Sequence, residues 1–345
     1  MSKESIFIRA CKGQATERTP IWIMRQAGRY LPEYRAIREK TDFLMLCKTP
    51  ELASEVSIQP IDIVGVDAAI LFSDILVIPE AMGMSLDVVE SKGPIFAAPI
   101  RDRDDLKRLD TTRITERLKY VMEAVKLTKV KLAGRVPLIG FAGAPWTLAT
   151  YMIEGKGSKN FEQAKRFIYR DREAAHQLLQ VLADSVVEYL NEKIRAGCDA
   201  VQIFDTWAGI LSPSDLEEFS LSYLRYICER LETNGAPVIV FAKGVRSFGA
   251  LASIKCDVIG LDWTIDIHAA KAGIGPGKTL QGNLDPCVLF GPKEMIRDET
   301  ERILARFGTG GGHVFNLGHG ILPSTPVENT QYLVTCVKEL SAKYH

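Results

Sequence analysis

The chain has 345 residues, of which 46% are hydrophobic and 25% are charged, as in an ordinary globular protein. Lysine plus arginine and aspartate plus glutamate both number 43, so the formal net charge is zero. General nucleic-acid binders and proteins of anionic membranes usually carry a basic surplus. The balance therefore argues against both classes of partner and confines any positive field to a local site.

The N-terminus and the cysteines predict a cytoplasmic location. The opening stretch MSKESIFIRACKGQ lacks the long apolar segment and the small-residue cleavage site of a signal peptide. No run approaches the ~18 apolar residues that cross a bilayer, so we expect no membrane partner. The seven cysteines form no CxxC pair, which favours reduced thiols over a disulfide framework or a zinc knuckle.

The first predicted strand, residues 21–24, leads into a polar turn that is rich in arginine. Arg25 and Arg29 border this turn, and Pro32 suits the first position of the helix that follows. A guanidinium stays charged at any working pH, and its rigid fork fits a carboxylate or a phosphate. We therefore predict an anion site at Arg25 and Arg29, whereas Arg35 fits a solvated position on the helix.

Further along the chain, short apolar runs alternate with amphipathic segments. Short unbroken apolar runs are typical of strands that are buried on both faces in a parallel sheet. Helical spacing occurs in the intervening segments, which predicts helices that include 49–64, 293–307 and 327–342 and a long one that ends near Gly197. The strand candidates begin near residues 21, 67, 137, 200, 237, 258, 279 and 313.

Eight strands that mostly alternate with helices predict an α/β protein, a single (β/α)8 TIM barrel over residues 1–345. A doubly wound open sheet shares the same local alternation, and the count of eight favours the barrel. A barrel places its active-site cleft at the carboxyl ends of its strands. Polar residues follow the predicted strands there: Arg25, Arg29, Asp74, Tyr151 at the end of the insertion 143–151, Asp205, Thr206, Lys243, Asp262, Asn283, Asp285, Asn316 and His319.

Two glycine-rich stretches and two histidines partly match motifs that bind phosphate, dinucleotides or metals. GIGPGKT, residues 273–279, is followed by a strand, whereas a phosphate loop opens a helix. GTGGGH, residues 308–313, follows a helix and lacks dinucleotide-binding spacing. Both stretches are predicted to be turns. His313 and His319 have no nearby Cys or Glu at ligand spacing, so no metal site is predicted.

Six short segments carry a resemblance to a known family. They are MRQAGRYLPEYR at 24–35, FSDIL at 72–76, YMIEG at 151–155, GLDW at 260–263, QGNLDP at 281–286 and NLGHG at 316–320. Together, and in matching order from about residue 5 to the C-terminus, they closely resemble uroporphyrinogen decarboxylase. MRQAGRYLPEYR is long enough to be highly specific.

The resemblance implies a fold, a reaction and an assembly. The family is a single (β/α)8 barrel, usually a homodimer, that acts in haem and tetrapyrrole synthesis. It is a carboxy-lyase that converts the four acetate side chains of uroporphyrinogen III to methyl groups, which gives coproporphyrinogen III and four CO₂. No metal and no organic cofactor is implied, because the protonated pyrrole ring of the substrate accepts the electrons of the broken bond.

The resemblance also implies the site residues. Asp74 matches the aspartate that accepts hydrogen bonds from the pyrrole N–H groups and stabilises the positive charge of the ring. Arg25 occupies the position of proton delivery; because arginine is a poor acid, a water held by Arg25 or a substrate carboxyl would meet the same need, and the donor stays open. The implied catalytic residues are Asp74 and Arg25, and the implied substrate-binding residues are Arg25, Gln26, Ala27, Gly28, Arg29, Asp74, Tyr151, Thr206 and His319.

Two other functions compete with the decarboxylase. The same superfamily includes barrel methyltransferases that work with zinc or cobalamin and need Cys or His ligands at strand ends, and the cysteines here form no such set. A non-catalytic tetrapyrrole carrier would keep the arginines without requiring Asp74. A metal assay separates the first alternative, and release of CO₂ separates the second.

Overall fold

The computed structural model describes residues 4–89 and 93–345 and contains two β-sheets. Its strands are β1 Ala69–Ile70, β2 Leu86–Val89, β3 Gly93–Phe96, β4 Leu138–Gly143, β5 Ala200–Asp205, β6 Val238–Ala242, β7 Val258–Gly260, β8 Thr279–Gln281 and β9 His313–Val314. Seven of them form one curled parallel sheet in the order β1, β4, β5, β6, β7, β8, β9, while β2 and β3 pair as an antiparallel hairpin. The protein is therefore an α/β protein with a parallel sheet.

Helices connect the successive strands of the large sheet. The α-helices are α1 Ile6–Cys11, α2 Pro32–Arg38, α3 Phe43–Lys48, α4 Pro50–Ile63, α5 Val77–Ala81, α6 Ile114–Arg117, α7 Lys119–Leu132, α8 Pro145–Glu154, α9 Glu162–Arg170, α10 Arg172–Ala196, α11 Pro213–Leu216, α12 Ser222–Arg230, α13 Phe248–Ala252, α14 Ile267–Ile274, α15 Lys293–Phe307 and α16 Val327–Leu340. Short 3₁₀ segments cover Asp104–Arg108, Ala208–Ile210, Pro286–Phe290 and Ser341–Tyr344, and Glu217–Leu221 forms a π-helical turn. Within 4–89 and 93–345, no helix is long and apolar enough to cross a membrane.

The sequence pattern located most of these elements. Seven of the eight predicted strands begin within two residues of the observed β1 and β4 to β9. The predicted helix over 293–307 is α15, and α10 ends at Gly197, whose left-handed φ of 119° suits a glycine. The predicted single domain spans 1–345, of which residues 1–3 and 90–92 lie outside the described residues.

The eighth predicted strand, residues 21–24, forms a single parallel bridge from Ile21 to Phe315. The N–H of Trp22 donates to the carbonyl of Phe315 at 3.3 Å, and the N–H of Asp67 donates to the carbonyl of Ile21 at 2.7 Å. The segment therefore lies between the ends of β9 and β1. Ladder pairing stops at Met24, because its N–H donates instead to the side chain of Asn316 at 2.9 Å.

Aspartates fix the start of several strands at the amino-terminal edge of the sheet. Each accepts a hydrogen bond from the N–H at the start of the preceding strand segment: Asp67 from Ile21 at 2.9 Å, Asp199 from Leu138 at 2.7 Å and Asp257 from Val238 at 2.7 Å. A carboxylate that accepts a backbone N–H satisfies a donor that a strand end leaves unpaired. These N–H groups at the amino-terminal edge of the sheet are therefore satisfied by hydrogen bonds.

Two apolar layers hold the sheet. The inner face buries large side chains such as Trp22, Ile139 and Phe241, while the outer face packs the helices against residues such as Val201 and Val240. Because the interior is filled by side chains, space for a ligand opens at the carboxyl ends of the strands.

Candidate active site

A cavity of about 1100 Å³ opens at the carboxyl ends of the strands. Its wall comes from the turn and helix after residues 21–24, the loop after β1, the β2–β3 hairpin, the ends of β4 and β5, and the segment after β9. Seven of the nine predicted site residues line it: Arg25, Ala27, Gly28, Arg29, Asp74, Thr206 and His319. The fold therefore gathers residues that lie almost 300 positions apart in the chain.

The backbone of the arginine turn has an unusual shape. Arg25 adopts a left-handed φ of 63°, which is uncommon for a residue with a side chain. Two glycines make room for it: a Cβ on Gly320 would lie 2.3 Å from the Cδ of Arg25, and a Cβ on Gly28 would lie 2.9 Å from the Arg25 carbonyl oxygen. The turn therefore depends on glycine at 28 and at 320.

Arg25 and Arg29 carry unpaired positive charges at this cavity. Both side chains are exposed, and neither donates a hydrogen bond or forms a salt bridge within the described part of the chain. Arg35 differs from them because its guanidinium is anchored on backbone, where it donates to the carbonyls of Arg29 at 2.8 Å and Tyr30 at 3.2 Å. Arg35 therefore supports the turn, while Arg25 and Arg29 stay available to an anion.

Gln26 supports the same turn from inside the protein. Its side chain is fully buried, accepts the N–H of Ile23 at 3.1 Å and donates to the carbonyl of Ala68 at 3.0 Å. It does not line the cavity, whereas its neighbours Ala27 and Gly28 do. The side chain of Gln26 therefore ties the turn to the chain just before β1.

Asp74 lies in the loop between β1 and α5. The loop is held by the buried Ser57 of α4, whose hydroxyl accepts the N–H of Phe72 at 2.7 Å. One oxygen of Asp74, Oδ1, accepts the N–H of Leu76 at 2.6 Å. Burial raises the pKa of Asp74, while this hydrogen bond and the nearby charge of Arg25 act in the opposite direction.

His319 lies between two aromatic rings at the other end of the chain. Its ring centre is 6.4 Å from that of Phe241 and 6.3 Å from that of Trp263. Burial, together with the positive charges of Arg25 and Lys243, lowers the pKa of His319 to about 3. The imidazole is therefore neutral at neutral pH and offers one hydrogen-bond donor and one acceptor.

Tyr151 and Thr206 lie on the side of β4 and β5. Thr206 lines the cavity, and the turn that carries it is fixed because the hydroxyl of Thr147 accepts the N–H of Trp207 at 3.2 Å. Tyr151 does not line the cavity but packs on Trp207 with ring centres 6.3 Å apart. Burial raises the pKa of Tyr151, and the charges of Arg25 and Asp74 act on it in opposite directions.

Much of the apolar wall was not foreseen from the sequence. Phe72 packs against Tyr34 and Phe43, with ring centres 5.6 and 5.8 Å apart, and the β2–β3 hairpin covers the same side. Phe141 and Phe204 form the floor. The only signal in the sequence was that aromatic residues cluster next to the polar strand ends.

The site thus combines unpaired cations, one central carboxylate and aromatic walls. Cations without partners bind carboxylates, aromatic walls bind a ring system, and Asp74 can accept hydrogen bonds from ring N–H groups. Within the described ranges, no group of three or more His, Cys, Asp and Glu side chains is placed to hold a metal ion. Fold and site together define a parallel α/β protein with a large cavity whose cations and aromatic walls suit a polycarboxylate ring compound.

Comparison with known proteins identifies the family. The family model described as uroporphyrinogen decarboxylase matches residues 2–340. A protein named uroporphyrinogen decarboxylase from Chlorobaculum tepidum is 53% identical over the full length of both chains, and one from Chloroherpeton thalassium is 52% identical over 100% of this chain and 99% of its own. The chain belongs to the uroporphyrinogen decarboxylase family, as its motifs predicted, and hence to a family of carboxy-lyases of porphyrin synthesis.

Solved structures support the fold. A methyltransferase from Methanosarcina mazei superposes with a TM-score of 0.82 and 20% identity, over 98% of this chain and 99% of its own. A putative vitamin-B12-independent methionine synthase from Listeria monocytogenes gives a TM-score of 0.56 with 14% identity, over 95% and 97%. At these identities the likeness concerns the fold alone.

Proposed function

We propose that this protein decarboxylates uroporphyrinogen III to coproporphyrinogen III and thereby removes four acetate carboxyls as CO₂. Family membership over the whole chain supports the reaction. The observation that carries the site assignment is that Asp74 faces the same cavity as Arg25 and Arg29, whose charges no described residue neutralises. Uroporphyrinogen carries eight carboxylates around a ring with four inward N–H groups, which matches this distribution of charge.

Asp74 is proposed to bind the centre of the tetrapyrrole. A carboxylate there accepts hydrogen bonds from the pyrrole N–H groups and leaves the acetates and propionates at the rim, within reach of the arginines. Its one observed partner, the N–H of Leu76, occupies Oδ1 and fixes the direction of the group. Such a fixed charge needs no rearrangement when positive charge develops on the ring.

The proposed chemical step is a protonation followed by loss of CO₂. A proton adds to the pyrrole α-carbon next to the ring carbon that bears the acetate, and the ring becomes a cation that is conjugated with the acetate CH₂. The bond between the acetate CH₂ and its carboxylate then breaks, its electron pair neutralises the ring, and CO₂ leaves. A later shift of protons gives the methyl group, so that each cycle consumes one proton and releases one CO₂. The negative charge of Asp74 lies beside the ring and stabilises the cationic intermediate.

Arg25 and Arg29 are proposed to hold carboxylates of the substrate, with Tyr151, Thr206 and the neutral His319 as hydrogen-bonding partners near the centre. Proton delivery is assigned to the surroundings of Arg25, by a water that it holds or by a substrate carboxyl, because the guanidinium itself is a poor acid. Ala27 and Gly28 would contact the substrate through backbone and Cβ, and Gln26 would act through the turn that it braces. No cofactor is proposed.

Three further features belong to the proposal. Residues 21–24 lie between β9 and β1 and are proposed to complete a single-domain (β/α)8 barrel, which the hydrogen bonds of Trp22 and Asp67 support. The family's usual homodimer is proposed as the assembly, and light scattering of the purified protein would test it. A cytoplasmic location is proposed, and it agrees with seven cysteines that are all unpaired.

The reaction is tested by anaerobic incubation of the metal-stripped protein with uroporphyrinogen III, followed by chromatography of the oxidised products. Porphyrins with seven, six, five and four carboxyls should accumulate in turn while CO₂ is released. Tight binding without conversion would support a carrier instead. Activity that returns only with added zinc would support the methyltransferase alternative.

A further inference from the structure

Lys243 follows β6 at the carboxyl edge and lies between two indole rings. Its Nζ is 6.0 Å from the ring centre of Trp207 and 5.2 Å from that of Trp263. An ammonium over an indole face is attracted to the ring, but the ring does not neutralise its charge. The side chain is half-buried, while Trp263 is 38% exposed. The ammonium is therefore held in place at a surface that a ligand can reach.

Two carboxylates at the same edge of the sheet, Asp205 and Asp262, accept hydrogen bonds from neutral donors. Asp205 accepts the hydroxyls of Thr147 and Ser220, both at 2.6 Å. Asp262 accepts the N–H of Gly244 at 2.6 Å and two hydrogen bonds from Thr264 at 2.8 and 2.6 Å. Across the described residues, no carboxylate lies within salt-bridge distance of the Lys243 ammonium.

Two cations at the amino-terminal edge of the sheet, unlike Lys243, form ion pairs with aspartates. Arg18 forms a two-fold pair with Asp67 at 2.8 and 2.7 Å, and Lys129 pairs with Asp199 at 2.8 and 2.6 Å. These two partly buried cations thus have carboxylate partners, which Lys243 lacks within the described ranges. Lys243 is not part of the cavity lining itself, but its neighbour Trp263 packs on His319, which is. An ammonium without a carboxylate partner at this carboxyl edge resembles Arg25 and Arg29, which points to the same kind of ligand.

The strand order places Lys243 on the side of the sheet opposite to the arginines. Counting from residues 21–24, the sheet continues through β1, β4 and β5 to β6, which is half of the way around. His319 lines the cavity, and its ring centre is 6.3 Å from that of Trp263, whose ring centre in turn lies 5.2 Å from the Lys243 Nζ. A large ring compound centred on Asp74 would therefore extend toward Lys243 on the side that Arg25 and Arg29 do not reach.

We propose that Lys243, held between Trp207 and Trp263, is a second carboxylate-binding subsite for the rim of the tetrapyrrole. This inference rests on the proposed function. It explains how carboxylates on opposite sides of one ring are bound, because a single cluster at Arg25 and Arg29 serves only one side. Binding by Lys243 fixes which pyrrole faces the arginines and so contributes to orientation of the substrate.

The test compares Lys243→Met with a matched control, Arg246→Met, both assayed with uroporphyrinogen III under anaerobic conditions. Arg246 is an exposed cation three residues further on, in the same loop. Loss of one charge-assisted hydrogen bond should raise KM for the Lys243 variant by about tenfold or more, with kcat within about twofold. Arg246→Met should change KM by less than about twofold.

Lys243→Arg keeps the charge and supplies the second arm of the test. It should retain most of the affinity, and the KM of the wild type should rise more steeply with salt than that of Lys243→Met. Equal KM values for Lys243→Met and Arg246→Met would overturn the subsite. A lowered Tm in both Lys243 variants, without a change in KM of the folded fraction, would also overturn it in favour of packing. Wild-type protein that does not convert uroporphyrinogen would instead overturn the proposed function.

Discussion

Substitution of Asp74 by asparagine tests the proposed reaction at its centre. Asparagine has the same shape, and its amide oxygen can still accept the N–H of Leu76 and one pyrrole N–H. It lacks the negative charge that faces the cationic ring. We therefore expect Asp74→Asn to fold and to bind uroporphyrinogen but to turn it over slowly.

The size of the effect follows from the charge that is lost. At about 4 Å and an effective dielectric constant of about 20, a carboxylate and a cationic ring attract each other by about 4 kcal/mol. Since each ~1.4 kcal/mol of transition-state stabilisation is worth a factor of ten, kcat should fall by about 10³. Stability should not fall, because burial raises the pKa of Asp74 and thus disfavours the charge that the substitution removes.

The assay measures single-turnover rates by chromatography of oxidised products, together with urea unfolding of each variant. Asp87→Asn is the matched control: Asp87 is exposed on β2, where its side chain accepts only the N–H of Val88, and an amide can replace it. It removes the same charge from the hairpin and should leave kcat unchanged. A kcat for Asp74→Asn within tenfold of the wild type would refute the assigned role of the charge.

Three further predictions concern binding and stability. Arg29→Ala should raise KM for uroporphyrinogen by about tenfold with kcat nearly unchanged, because an exposed, unpaired guanidinium contributes to binding; an unchanged KM would refute the carboxylate contact. Burial lowers the pKa of Lys193 to about 7, so the unfolded chain binds more protons than the folded chain between pH 7 and 10.5. The free energy of unfolding of the wild type should therefore rise by up to about 5 kcal/mol over that window. Lys193→Met should not show this rise. Burial raises the pKa of Asp205 to about 6, so the folded chain binds more protons than the unfolded chain between pH 4 and 6. The free energy of unfolding of the wild type should therefore fall by about 3 kcal/mol over that window, while that of Asp205→Asn should stay constant. Urea unfolding measured across these pH ranges tests both the Lys193 and the Asp205 prediction.

Elements with a strong local signal were predictable from the sequence. The predicted helix over 293–307 is the observed α15, since periodic apolar residues, the preceding Pro292 and the following Gly308 all act within one segment. The strands from β4 to β9 were equally visible as short apolar runs between turns. Such signals need no knowledge of the rest of the fold.

Elements whose structure depends on distant partners were harder to predict. Residues 21–24 read as a strand, yet the side chain of Asn316, 292 positions away, takes the N–H of Met24 and ends the pairing. The β2–β3 hairpin is not among the predicted strands, because Gly93 and Pro94 weaken the strand pattern. Its pairing and its position over the cavity depend on tertiary contacts, which the local sequence does not encode.

The same limit applies to the site. The motif MRQAGR predicted an anion site at its arginines, and Arg25 and Arg29 do line the cavity. Spacing alone cannot separate a residue that contacts a ligand from one that supports the turn within five residues. Gln26 is a support, because its amide reaches the carbonyl of Ala68 rather than the cavity. Only the fold shows which side of the turn each side chain occupies.

The distribution of charge across the sheet connects stability with function. At the amino-terminal edge, Asp67 neutralises Arg18 and also accepts a strand N–H, so that one carboxylate stabilises two elements. At the carboxyl edge, Asp205 and Asp262 accept only neutral donors and therefore leave Lys243 without a counter-ion. Cations that share one edge of the sheet without counter-ions repel, which destabilises the empty protein. A polyanionic substrate removes that repulsion when it binds, so the same arrangement that weakens the free fold strengthens its complex.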